Sequence, residues 1–145
     1  MYRFFNSPCR LVGRVDRGIR ERLHGMSQIA YEFGAPALAA NQWGMDLRLL
    51  VVRENRSFEH LFIKMVNPRV IWESAQTLGM YEECWSIPGV VTFVERPVSV
   101  LCRYLSEFGD ERKDLFDGIQ CRLVLHGISH LNGIIKEGKG DYQND

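Results

Sequence analysis

Two histidines stand four residues apart in His126-Gly127-Ile128-Ser129-His130. At about 3.6 residues per helical turn, that spacing places both imidazoles on one face of a helix, where they can hold a divalent metal. The segment therefore asks for a helix. In HExxH metallohydrolases the residue after the first histidine is a glutamate, the general base toward water at the metal. Here that residue is Gly127. The pattern keeps the metal grip and lacks the base. A histidine pair of this kind also arises by chance on many helices, so a third ligand matters. Cys84, in Glu82-Glu83-Cys84-Trp85-Ser86-Ile87-Pro88-Gly89, lies between two strand-like stretches. A thiolate with two imidazoles is a plausible catalytic set that leaves a fourth position open.

The chain has 145 residues with 46% hydrophobic and 25% charged content, which suits one domain, 1–145, with a real core. The formal net charge is zero, so no global field draws it to DNA or to a membrane surface. No apolar run approaches the length of a membrane span, and no signal-peptide pattern opens the chain. The cysteines Cys9, Cys84, Cys102 and Cys121 form no disulfide framework, which points to a reducing, intracellular setting. Cys102 sits in an apolar run and reads as a core thiol, Cys121 lies on the histidine helix at no ligand spacing, and Cys9 reads as the exposed thiol.

Ile19, Leu23, Met26 or Ser27, and Ala30 fall at helical spacing and predict an amphipathic helix over Arg17 to Glu32, with Asp16 as N-cap and Gly34 as stop. An irregular stretch runs from Pro36 to Gln42. Leu47 to Arg53 is a strand, Phe58 to Val66 its partner, and Asn67-Pro68 a break before Arg69 to Trp72. Val90 to Val94 and Val98 to Tyr104 read as adjacent strands, and Glu107 to Asp110 as a turn. The histidine helix is expected over Asp114 to Leu131, with Leu115, Ile119, Leu123 and His126 along one side. The tail from Lys136 is polar. The sum is an α+β domain with the histidine helix among short strands.

Three segments together resemble the peptide deformylase family, whose motifs run GxGLAAxQ, EGCLS and HExDH in that order. This chain offers Ala35-Pro36-Ala37-Leu38-Ala39-Ala40-Asn41-Gln42, then Glu82 to Ser86, then His126 to His130, and the likeness covers about Pro8 to Lys136. The resemblance implies the deformylase fold, short antiparallel strands around a central metal-binding HxxxH helix. It implies Cys84, His126 and His130 as ligands of one divalent metal ion, Fe²⁺ in the family, with Zn²⁺, Ni²⁺ or Co²⁺ as alternatives. Gln42 and the backbone N–H of Trp85 would donate to the formyl oxygen. Glu82 and Arg96 would form an ion pair bracing the cysteine loop. Ala37, Leu38 and Glu82 would line the peptide, which pairs with backbone as an added strand. The implied partners are N-formyl-methionyl peptides or nascent chains, in a bacterial or phage-infected cytoplasm or a bacterial-derived organelle. Arg3, Arg10, Arg14, Arg17, Arg20 and Arg22 then read either as a solvated face or as a ribosome contact.

The departures bear on activity. Ala35 and Ala37 replace motif glycines, Glu83 replaces the glycine before Cys84, Trp85 replaces a leucine, and Ser129 replaces the aspartate. Leu125 stands for the usual glutamine, and Gly127 for the glutamate that moves the proton. Loss of a positioned base costs about 10²–10⁴ in rate. Three readings stay open at this level: a deformylase-like protein with impaired catalysis, an active deformylase with a substitute base such as Glu83, and a binding or regulatory pseudoenzyme.

Overall fold

The structure is a computed structural model that describes residues 7–54, 61–83 and 89–134. Helix α1, Arg17–Phe33, opens where Asp16 Oδ1 accepts from the Ile19 N–H at 3.0 Å. It stops at Gly34, whose left-handed torsion (φ 70°) lets its N–H reach the last-turn carbonyls. Strand β1, Ala37–Ala39, follows where an irregular stretch was expected, and a 3₁₀ turn, Ala40–Trp43, carries the chain on to β2, Leu49–Arg53. Next come β3, Phe62–Glu73, β4, Thr77–Glu83, β5, Val91–Pro97, β6, Ser99–Leu105, and β7, Glu111–Asp117. Helix α2, Gly118–Leu131, carries both histidines.

The strands form a five-stranded antiparallel sheet, β1-β2-β3-β6-β7, and a separate hairpin, β4-β5. The run Leu49-Leu50-Val51-Val52 is fully buried because the two helices cover opposite faces of the sheet there. Leu49 and Val51 pack with Leu23, Met26 and Ala30 of α1, while Leu50 and Val52 pack with Val124, Ile128 and Leu131 of α2. Alternation along a strand thus feeds two cores. No helix is long and apolar enough to cross a membrane among the described residues.

Four expectations need correction. Asn67-Pro68 does not end a strand: β3 runs through it, taking up the irregularity as a register shift between Val66 and Arg69. Asn67 adopts φ 53° there, and its side chain bonds both backbone groups of Val12. The histidine helix starts at Gly118, not Asp114, because Glu111–Asp117 pairs residue for residue with β6. Leu115 and Ile119 are therefore exposed, and the buried face of α2 is Cys121, Val124, Ile128 and Leu131. The neighbouring strands β5 and β6 lie in different sheets. Cys9 is buried, its N–H bonded to the Leu131 carbonyl at 2.8 Å.

Candidate metal centre

Helix α2 presents its two histidines as the spacing requires. Their Nε2 atoms face one another 3.1 Å apart, with the rings inclined at 68°. Behind His126, its Nδ1 lies 3.1 Å from Glu82 Oε1, on the last turnward part of β4. Burial pushes the Glu82 carboxyl up, but the hydrogen bonds from Arg96 and His126 and the charge of Arg96 outweigh it and hold it at about 2. An ionised carboxylate only accepts, so Nδ1 of His126 carries the proton and Nε2 keeps its lone pair. A carboxylate set behind an imidazole in this way is the usual support of a metal-ligating histidine.

Two Nε2 atoms 3.1 Å apart on one helix face, with a carboxylate behind one ring, are a donor set that fits a single divalent ion. Cys84, the expected thiolate, and Trp85, the expected backbone donor, lie outside the described residues. In sequence Cys84 directly follows Glu83, the end of β4. Among the described residues alone, no three His, Cys, Asp or Glu side chains cluster as a metal site.

Beside the histidines opens a cleft of about 220 Å³. β1 supplies one wall through Ala37, β4 another through Met80 and Tyr81, and α2 a third through Leu123 and His126. Gln42, on the 3₁₀ turn, also lines it. Its Oε1 accepts from the Ala39 N–H at 2.8 Å, so the oxygen end of the amide is committed to the backbone. Among the described residues β1 is an edge strand, and its Ala37 lines the cleft. Leu38 is fully buried and presents no surface to the cleft. Ala35 and Ala37 cost no strain, since Asn67 is the one non-glycine with positive φ among the described residues.

Glu82 borders the cleft but its oxygens are engaged. Arg96 grips it with two bonds, Nε to Oε2 at 2.8 Å and Nη2 to Oε1 at 2.9 Å. Arg122 reaches the same carboxylate, Nη2 lying 2.9 Å from Oε2. Gly127 is buried toward Leu50 of β2. Glu83 is exposed at the cleft edge, its Oε2 3.4 Å from the Gly89 N–H.

Sequence reasoning missed three residues that hold this arrangement. Asn41 is fully buried and donates from Nδ2 to the His130 carbonyl at 2.5 Å, joining the Gln42 turn to α2. Arg48 donates to the Leu131 carbonyl at 3.0 Å and to Asn132 Oδ1 at 2.6 Å. Arg122 had a visible signal: it is the one Asp, Glu, Lys or Arg in α2, four residues before His126. Of the early arginines, Arg10 pairs with Asp46, Arg17 with Glu21, and Arg20 lies over the Phe108 ring.

The fold and this site together define a class. The family model of polypeptide deformylase matches residues 3–137, and the chain belongs to that family. The peptide deformylase of Thermoanaerobacter pseudethanolicus is 35% identical over 124 residues, covering 86% of this chain and 75% of its own length. A probable peptide deformylase of Synechococcus phage S-SSM7 superposes with a TM-score of 0.86 at 27% identity, covering 93% of this chain and 95% of that one. The Synechococcus elongatus peptide deformylase, solved in complex with actinonin, gives a TM-score of 0.85 at 28% identity, covering 92% of this chain and 76% of its own.

Proposed function

We propose that this chain is a metal-dependent hydrolase of N-formyl-methionyl peptides that works slowly because it lacks the carboxylate base at residue 127. The observation that carries the reading is the facing pair of Nε2 atoms on His126 and His130, set beside a cleft that Gln42 lines. Cys84, His126 and His130 would hold the ion. When bound, a divalent metal lowers the pKa of water to about 7 and polarises a carbonyl.

The protein's own residues account for the rest. An extended formyl-peptide lies in the cleft beside Ala37 of β1, and the apolar walls at Met80 and Leu123 receive an apolar side chain such as methionine. The Gln42 NH₂, with the Trp85 backbone N–H, donates to the formyl oxygen as charge develops there. Hydrolysis then needs a proton taken from water and another delivered to the leaving amine. Gly127 can do neither, so the rate falls by about 10²–10⁴ relative to a site with a positioned base. One observation favours a second reading: Glu83 borders the same cleft and could serve as base. Such substrates place the work in a bacterial or phage-infected cytoplasm, or in a bacterial-derived organelle.

The test is anaerobic loading with Co²⁺, followed by formate release from a formyl-Met tripeptide, with His130→Ala as control. The proposal expects one equivalent of metal in the native protein, far less in the variant, and slow formate release that the variant loses. Native protein that binds well under one equivalent, or formate release equal in both, overturns it.

A further inference from the structure

Helix α2 spaces Arg122, His126 and His130 at four-residue intervals, so the arginine shares the histidine face. Arg122 is buried at 7% exposure and spends its donors on the β4-β5 hairpin. Nε donates to Glu82 Oε2 at 3.1 Å, Nη1 to the Leu78 carbonyl at 2.8 Å, and Nη2 to the Val94 carbonyl at 2.7 Å. Leu78 is in β4 and Val94 in β5, so one side chain on the helix holds both strands. Arg96 differs: it lies in β5 and grips Glu82 in β4, closing the hairpin on itself. Among the described residues, the other polar links from α2 to the hairpin are His126 to Glu82 and the weaker Cys121 Sγ to the Pro97 carbonyl at 3.4 Å. A two-stranded sheet is marginal by itself and takes its position from what it packs against.

His126 and His130 ride on α2, while Glu82, which supports His126 from behind, rides on β4. We infer that Arg122 is a positioning residue for the metal: it fastens the hairpin to the helix, so that Glu82 stays set behind His126 and the imidazole pair is held in one geometry before the ion arrives. It stands in the cleft wall with its donors turned to the hairpin, and acts on the metal through Glu82 and the hairpin backbone. The inference rests on the proposed metal site. Planarity matters to it, because a guanidinium reaches a carboxylate and two carbonyls at once, whereas a lysine ammonium cannot span them.

The experiment compares Co²⁺-loaded native protein with Arg122→Met and Arg122→Lys. It reads the rate at which EDTA removes the metal, the Co²⁺ absorption spectrum, and the thermal midpoint of each metal-free protein. Arg122→Met is expected to lose metal at least tenfold faster, in line with the roughly 10–100-fold cost of removing outer supports of a metal site. Its Co²⁺ spectrum should shift as ligand geometry loosens. Arg122→Lys keeps the charge but is expected to lose metal several-fold faster than native. If Arg122→Met does not fold, Arg122→Lys decides the matter alone. Native loss rates and an unchanged Co²⁺ spectrum in the folded variants, with only a lower thermal midpoint, overturn the inference. Failure of the native protein itself to bind Co²⁺ overturns instead the metal reading on which it rests.

Discussion

Leu50 of β2 fills the space that any side chain at Gly127 of α2 would enter. From the position of a Cβ on Gly127, Leu50 Cδ2 lies 3.0 Å away and Cγ 3.2 Å, with Cδ1 nearer still. Both residues are buried, so the helix and the sheet approach closely at residue 127. Alanine there would gain about 1 kcal/mol of helix propensity over glycine. Overpacking a filled core costs about 1–3 kcal/mol. Gly127→Ala is therefore expected to be net destabilised by about 1 kcal/mol. Combined with Leu50→Val, its effect should be non-additive, the pair losing less than the sum of the singles. Urea midpoints of the four proteins check this; a Gly127→Ala protein more stable than native contradicts it.

The Glu82 cluster predicts a dependence on acid. Its carboxyl is held at about 2 against an ordinary value of 4.5. The folded value lies below the unfolded one, so the stabilisation is complete above pH 4.5 and is lost as pH falls toward 2. Its size is at most about 3 kcal/mol. Urea midpoints of native protein should fall through this window, and Glu82→Gln should show a flatter profile there. Parallel profiles would count against the cluster.

Glu82→Gln should also be costly at neutral pH. It leaves the guanidiniums of Arg96 and Arg122, both nearly buried, without their shared carboxylate. Removing one partner of a buried ion pair costs about 3–5 kcal/mol. The same change replaces the charged carboxylate behind His126 Nδ1 with a neutral amide, so Co²⁺ affinity should drop at least tenfold. A variant with native stability would contradict the assignment.

The buried thiols predict chemical inertness. Burial raises Cys9 to about 11 and Cys102 to about 12, and raises Cys121 as well. The thiolate is the reactive form, so these three should resist iodoacetamide at pH 8 in the folded protein. Peptide mapping by mass spectrometry reads this directly. Rapid labelling of Cys102 would show that the sheet core opens.

Much of this site was legible before the fold was seen, because its parts lie in short local patterns. Asp16 and Gly34 bracket α1 by capping chemistry that needs no tertiary context. His126 and His130 share a face by helical geometry alone, and the Glu82–Arg96 pair followed from motif resemblance. Partner choice was legible for β2 and β3, which pair as expected, and not for the later strands. Residues 114–117 read as helix and are strand, because β6 pairs with them one for one. β5 leaves its sequence neighbour β6 and pairs with β4, a tertiary decision. Cys9 read as exposed because nothing local shows that its segment covers the end of α2. Arg122 was overlooked for the same reason, although a lone charge on an apolar helix was there to be questioned.

The central claim is that the metal grip and cleft persist while the base is gone and its space is filled. Formate release from a formyl-Met tripeptide, by Co²⁺-loaded native protein and by Gly127→Glu/Leu50→Ala, tests it most directly. The double variant supplies the carboxylate and the room for it, and it should exceed native turnover by about 10²–10⁴. Gly127→Glu alone should fall between the two. Native turnover equal to or above that of the double variant would contradict the account, and would make Glu83 the residue to change next.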